Sequence, residues 1–148
     1  MNSYLEKFEK MRIAGRLAAE TLDMLTDNIK PGVTTEFIDK LGYEFIRDNG
    51  AYSAPLFYRG FKKSLCTSLN HVVCHGIPSD RVLNEGDALN VDVTAIIDEH
   101  YGDTSRMFCV GKTPVKVNNL IDATYESMML AIKLLKPGLK LGDIGHAI

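Results

Sequence analysis

Tryptophan is absent from this 148-residue chain, and cysteine (three) and proline (five) are scarce. Cys66, Cys74 and Cys109 leave one thiol unpaired and show no Cys-x-x-Cys spacing, so a disulfide-built scaffold is not indicated. Reduced thiols in a cytoplasmic protein account for them most simply. A zinc site from Cys66, Cys74 and His75 is conceivable, although strand-packed cysteines are the commoner case. No apolar run approaches the length of a membrane span, and Met1 is followed by polar and charged residues where a leader would be apolar. Neither charge sign dominates: the formal net charge is −2, which gives no support to a nucleic-acid surface. What remains is 45% hydrophobic and 24% charged, the composition of one soluble domain with an ordinary core.

Helical periodicity opens the chain. Phe8, Met11, Gly15, Ala18, Leu22, Leu25 and Ile29 step by three and four, which predicts one buried stripe. Lys30-Pro31-Gly32 ends it. Thr34 can cap a second helix carrying Phe37, Ile38, Leu41 and Phe45, with Glu36 favourable in its first turn, ending near Asn49-Gly50. Near the C-terminus the pattern restarts. Ile121, Tyr125, Met128, Ile132 and Leu135 make a stripe stopped by Lys136-Pro137-Gly138, and residues 139–148 open another short helix. Either these are two ordinary helix–Pro-Gly–helix joints, or the chain holds one repeat and the start of a second. In the latter case residues 1–112 form the first copy, 113–148 begin the second, and a sheet-bearing half is missing.

Between the helical regions lie Asn90-Val91-Asp92-Val93-Thr94-Ala95-Ile96-Ile97 and Tyr101-Gly102-Asp103-Thr104-Ser105-Arg106-Met107-Phe108. Alternation and β-branching mark two strands, and Asp98-Glu99-His100 reads as the turn. A reversal near Ile97 and Asp98 sets Asp92 directly opposite Asp103, sharing a face with Asn90, Thr94, Tyr101 and Ser105. Like charges opposed in this way repel. Either the hairpin turns that face to solvent, or a cation sits between the oxygens. Upstream, His75 ends the apolar run Val72-Val73-Cys74 beside Gly76. A strand-end histidine there is either a satisfied structural residue or a ring presented to a cleft. His71, His100 and His146 carry no such implication, and the cluster Arg59, Lys62 and Lys63 reads as a solvated face.

The segments Lys10-Met11-Arg12-Ile13-Ala14-Gly15, Lys63-Ser64-Leu65-Cys66-Thr67-Ser68-Leu69-Asn70, Val72-Val73-Cys74-His75-Gly76-Ile77-Pro78, Glu85-Gly86-Asp87, Asn90-Val91-Asp92-Val93-Thr94 and Gly102-Asp103-Thr104-Ser105 resemble, in order and spacing, the bacterial type I methionine aminopeptidases. The resemblance runs from about Lys10 to Ile148. It implies an α/β (α+β) pita-bread fold, of which this chain would hold the N-terminal half plus the first helices of the second pseudo-symmetric half. It further implies removal of the initiator methionine from nascent proteins, in the course of protein maturation, when the second residue is small. The implied cofactors are two divalent metal ions per complete subunit (cobalt, manganese, iron or zinc). Asp92 would bind one of them and Asp103 would bridge both. His75 matches the histidine that contacts the scissile peptide group. Tyr58 and Cys66 match residues of the methionine side-chain pocket.

This chain departs from that pattern at two pocket positions. Phe61 stands where many members have a tyrosine, and Pro55 where some have a cysteine. The family's further ligands, one histidine and two glutamates, and a second substrate-binding histidine fall beyond Ile148. The chemistry requires that fuller shell, because amide hydrolysis at neutral pH needs a water made more acidic and a carbonyl polarised by cations. These 148 residues alone are therefore expected to bind a single ion weakly, to self-associate and to hydrolyse nothing. Nascent polypeptide N-termini, met at the ribosome, are the implied partners, with no membrane, no specific nucleic acid and a monomeric complete enzyme. A non-catalytic pita-bread binding module and an X-Pro or creatinase-type peptidase are the alternatives. Retention of both aspartates and His75 counts against the first, and the short N-terminus against the second.

Overall fold

The computed structural model describes residues 3–148. They fall into two compact units, one ending at Lys112 and the other spanning Thr113–Ile148. The first contains helices α1 (Ser3–Thr26) and α2 (Thr35–Asp48) and strands β1 (Tyr52–Ser53), β2 (Cys66–Leu69), β3 (Ala88–Ile97) and β4 (His100–Cys109). The second contains α3 (Val115–Leu134) and α4 (Leu141–Ala147). Among the described residues no helix is long and apolar enough to cross a membrane.

Helix α1 buries Ala14, Leu17, Ala18, Leu22 and Leu25. The expected stripe holds from Ala18 onward and fails before it, since Phe8 and Met11 are 50% and 51% exposed. The helix is longer than the sheet it covers, so its first turns run past the core. It ends at Thr26, earlier than the Pro-Gly signal, and Ile29 is buried from the turn that follows. Helix α2 starts as its sequence dictates: the Phe37 N–H donates to Thr34 Oγ1 at 3.2 Å, satisfying one of the free first-turn donors. Ile38 and Ile46 are buried, whereas Phe37 is largely exposed. In the second unit the helices form where periodicity placed them. The α3 stripe is nevertheless not covered: Tyr125, Met128, Ile132 and Leu135 are all exposed, and Ala131 is the buried residue of that helix.

All four strands pair antiparallel. Strand β4 occupies one entire edge of β3, from Ala88↔Cys109 to Ile97↔His100. The other edge is shared, β1 pairing at Ala95 and Ile96 and β2 at residues 89–92. One face of the sheet packs on the helices: Leu89, Val91, Val93 and Ala95 of β3 have no exposed surface and join Leu17, Ala18, Leu22 and Leu25 in a single core. Each large side chain sealed there contributes about 1.5–3 kcal/mol. Contact between α1 and β4 is closer than side chains would permit. A Cβ on Gly102 would lie 2.1 Å from the Ala14 carbonyl carbon and oxygen, so the helix rests on bare strand backbone.

Two polar locks fix the loops around β2. Asp39, buried on α2, accepts the Ser64 and Leu65 N–H groups through Oδ1, both at 2.8 Å. Burial pushes its carboxyl above the ordinary value despite those two donors. Beyond β2, Asn70 donates to Asp87 Oδ1 at 2.9 Å and accepts the Ala88 N–H at 3.0 Å. Asp87 in turn accepts the Asn84 N–H at 2.9 Å. These bonds tie both ends of the β2–β3 connection to the sheet.

Candidate metal centre and substrate cleft

The hairpin turn decides how the two aspartates meet. Asp98 and Glu99 form a two-residue loop with φ of 47° and 63°, the left-handed pair of a tight turn whose twist suits the flanking strands. The strands therefore pair Asp92 with Ser105 and Thr94 with Asp103. Asp92 and Asp103 are diagonal neighbours, not the directly opposed pair expected from a reversal one residue earlier. A two-residue difference in register preserves the face, so both carboxylates still lie on the open side of the sheet with Asn90, Thr94, Tyr101 and Ser105.

Their side chains lie close enough to interact directly. Asp92, half-buried, is held above the ordinary carboxylate range first by burial, then by the charge of Asp103 and a hydrogen bond with it, while His75 acts in the opposite sense. Two hard oxygen donors on one face suit a divalent cation, whose charge would offset their mutual repulsion. They amount to part of a shell. Among the described residues, no three His, Cys, Asp or Glu side chains gather into a metal-holding group, and this includes Cys66, Cys74 and His75.

His75 reaches the site from a loop and not from a strand end. Strand β2 stops at Leu69, and residues 70–78 carry no strand. Val72 and Val73 are exposed, and the apolar run forms no strand. The loop instead folds back along β2, where the Thr67 N–H donates to the Gly76 carbonyl at 2.8 Å and the Gly76 N–H to Ser68 Oγ at 3.1 Å. A Cβ on Gly76 would come within 2.2 Å of the Thr67 carbonyl oxygen, so only glycine permits this approach. His75 beside it takes φ 54°, an uncommon left-handed backbone for a side chain of its size.

The third wall is the strap between β1 and β2. Along the shared edge of β3, the Ala54 N–H donates to the Thr94 carbonyl at 2.9 Å. The chain then swings away before returning at Cys66. Phe57 and Arg59 adopt left-handed backbone (φ 68° and 49°), and the Phe57 N–H to Phe61 carbonyl bond of 2.7 Å closes the loop. The swing leaves a cleft of about 850 Å³. Asp92, Asp103, His75, Tyr58, Phe61 and Cys66 all line it. Cys66 is buried and its thiol is pushed up to about 11 by burial, then by Asp92 and Cys74, so it is neutral at pH 7.

Other liners were not anticipated as site residues. Thr94 and Tyr101 follow from the same alternation that placed the aspartates on one face. Ile77 had no signal, because its loop conformation depends on the contact at Gly76. Arg59 and Lys62 also line the cleft, whereas Lys63 pairs with Glu36. The presumed solvated basic face is thus divided, two cations turned to the cleft and one to α2. His71 lines a separate, smaller cleft of about 260 Å³.

A cleft floored by paired carboxylates and walled by aromatic rings and a thiol can hold a cation beside an apolar side chain. Comparison with known proteins places it. The profile of Metallopeptidase family M24 matches residues 9–148, and the chain belongs to that family of metal-dependent peptidases. It is 57% identical over 141 residues to a methionine aminopeptidase of Rickettsia prowazekii (strain Madrid E), covering 95% of this chain and 54% of the relative. It is 52% identical over 145 residues to one of Salmonella typhimurium, covering 97% and 55%. The chain thus spans about half the length of the curated relatives it matches. Among solved structures, the crystal structure of methionine aminopeptidase from Rickettsia prowazekii superposes with a TM-score of 0.94 at 56% identity, over 96% of this chain and 57% of that one. The pita-bread expectation holds. An Xaa-Pro dipeptidase from Bacillus anthracis shares the fold at 19% identity and a TM-score of 0.85, over 96% of this chain and 39% of that one.

Proposed function

We propose that this chain carries the carboxylate floor and the methionine-recognising wall of a methionine aminopeptidase, which removes the initiator methionine when the second residue is small. One observation carries the proposal: six side chains from three separate stretches, Asp92, Asp103, His75, Tyr58, Phe61 and Cys66, line a single cleft. Asp92 and Asp103 would be ligands of the divalent ions, two per complete site. When bound, such ions supply a water of lowered pKa and a polarised scissile carbonyl.

The remaining steps belong to the chain's own groups. His75 is exposed and close enough to Asp92 to act on its charge, and it donates from its ring to the substrate's peptide nitrogen or developing oxyanion. Tyr58, Phe61 and the neutral Cys66 thiol offer a thioether side chain aromatic and polarizable surface. Phe61 keeps the ring where a tyrosine would add a hydroxyl that needs a partner. The substrates are nascent polypeptide N-termini in the cytoplasm. Two carboxylates alone hold one ion weakly, so the isolated 148 residues turn over no peptide.

A chimera tests this. This chain is continued with the remaining part of the Rickettsia prowazekii relative and given Met-Ala, Met-Glu and X-Pro peptides with manganese or cobalt. Cleavage of Met-Ala in strong preference to the others is expected, and His75→Ala should lower turnover by about 10²–10³ while metal content is retained. Equal cleavage of Met-Ala and Met-Glu, preference for X-Pro bonds, or loss of metal in the histidine variant would overturn the assignment.

A further inference from the structure

We propose that Arg59 and Lys62 form a cationic rim on the cleft that selects substrates bearing an acidic side chain a few residues after the N-terminal methionine. The proposal rests on the aminopeptidase assignment for the position of the substrate's first residue and goes beyond it in naming what the downstream residues meet. The cleft is electrically two-sided. Its acidic liners are Asp92 and Asp103, and its permanently cationic ones are Arg59 and Lys62. The ion pairs among the described residues use Lys10, Arg12, Arg47, Lys63 and Arg106, which leaves the two rim cations without a carboxylate partner.

Their placement follows from the strap. Arg59 sits between Tyr58 and Phe61, the two rings assigned to the methionine side chain, and Lys62 follows directly. Arg59 is exposed, held in left-handed backbone, with its guanidinium 5.4 Å from the Tyr58 ring centroid. The turn beneath it is closed by the Tyr58 N–H to Pro55 carbonyl bond at 2.9 Å and the Phe61 N–H to Tyr58 carbonyl bond at 3.0 Å. A guanidinium lining the cleft beside the Tyr58 ring, exposed and without a carboxylate of its own, is free to take a carboxylate through two parallel hydrogen bonds. A peptide whose ammonium end lies at the aspartates advances roughly 3.3 Å per residue when extended. Within a few residues its side chains leave the methionine pocket and pass the strap that bears both cations.

Peptide titration of the 148-residue chain, with nuclear magnetic resonance shifts as the readout, tests this. Met-Ala peptides with glutamate at the third, fourth or fifth position are compared with their glutamine isosteres, at low and at raised salt. At one of these positions the glutamate peptide should bind about fivefold more tightly, the scale of two exposed charge contacts. The preference should fade with salt and vanish in the Arg59→Gln, Lys62→Gln double variant, both positions being exposed and outside the core. Equal binding of glutamate and glutamine peptides, a preference that survives the double variant, or no peptide binding overturns the proposal. The underlying assignment is read separately with N-acetylated and alanine-led glutamate peptides. If these bind as well as the methionine peptide, the aminopeptidase assignment fails while the cationic rim stands.

Discussion

The two faces of the β3–β4 hairpin come from the same two ten-residue strands, yet one residue's step along β3 changes the chemistry completely. Leu89, Val91, Val93 and Ala95 are sealed beneath α1; Asn90, Asp92 and Thr94 between them stay half-exposed. The packed face holds the sheet together, and a slip by one residue would exchange the two sets. The open face can then carry a carboxylate pair that would be intolerable in a core, because its repulsion is met by stability stored on the other side.

Substitutions that cross from one face to the other test this division most severely. Val91→Asp should cost about 4 kcal/mol or more and leave the first unit unfolded, since it places an unpaired charge in the core. Ser105→Asn, an uncharged change on the open face, should change stability by no more than about 0.5 kcal/mol. Denaturant unfolding followed by circular dichroism reads both. Gly102→Ala comes next. Its new methyl would meet the Ala14 backbone, and about 1–3 kcal/mol of overpacking is expected, visible also as altered amide shifts along α1.

Asp39→Ala should cost a comparable or smaller amount, about 1–3 kcal/mol, by orphaning the Ser64 and Leu65 N–H groups. Its pH dependence has a definite sign. Folding raises this carboxyl above its ordinary 3.8, so the folded chain holds the proton more tightly than the unfolded one. The stabilisation from that tighter proton is fully present below 3.8 and is lost as pH rises through the folded value. In Asp39→Asn this slope should disappear from the stability–pH curve.

A small effect of the opposite sign is expected at the site itself. Asp92→Asn removes one of two repelling charges, so without metal it should stabilise the chain by up to about 1 kcal/mol. Asp92 too is raised on folding, so this gain should be present at neutral pH and shrink as the pH falls toward the ordinary carboxylate range. A loss of stability instead would show that Asp92 supports the fold.

The face shared by Asp92 and Asp103 was legible in the sequence because alternation is a local signal with a period of two. The diagonal pairing was not, since it depends on which two residues of Ile97-Asp98-Glu99-His100 accept left-handed backbone, and neither Asp98 nor Glu99 is a glycine. Thr34 announced the start of α2 through its hydroxyl. Phe8 and Met11 misled, because periodicity reports a helix and not how far the sheet beneath it extends. The loop holding His75 was hidden for a similar reason: its path is set by Gly76 against Thr67, nine residues apart in the chain. Arg59 and Lys62 parted from Lys63 only through the turn of the strap.

The most direct test of the carboxylate floor is manganese titration of the isotope-labelled chain, followed by paramagnetic broadening of its amide signals. Broadening should begin at Asp92 and Asp103, spread to Thr94, Cys66 and His75, and be lost in the Asp92→Asn, Asp103→Asn double variant. Broadening centred elsewhere, or unchanged in that variant, would contradict the assignment of these two aspartates as the metal-holding pair.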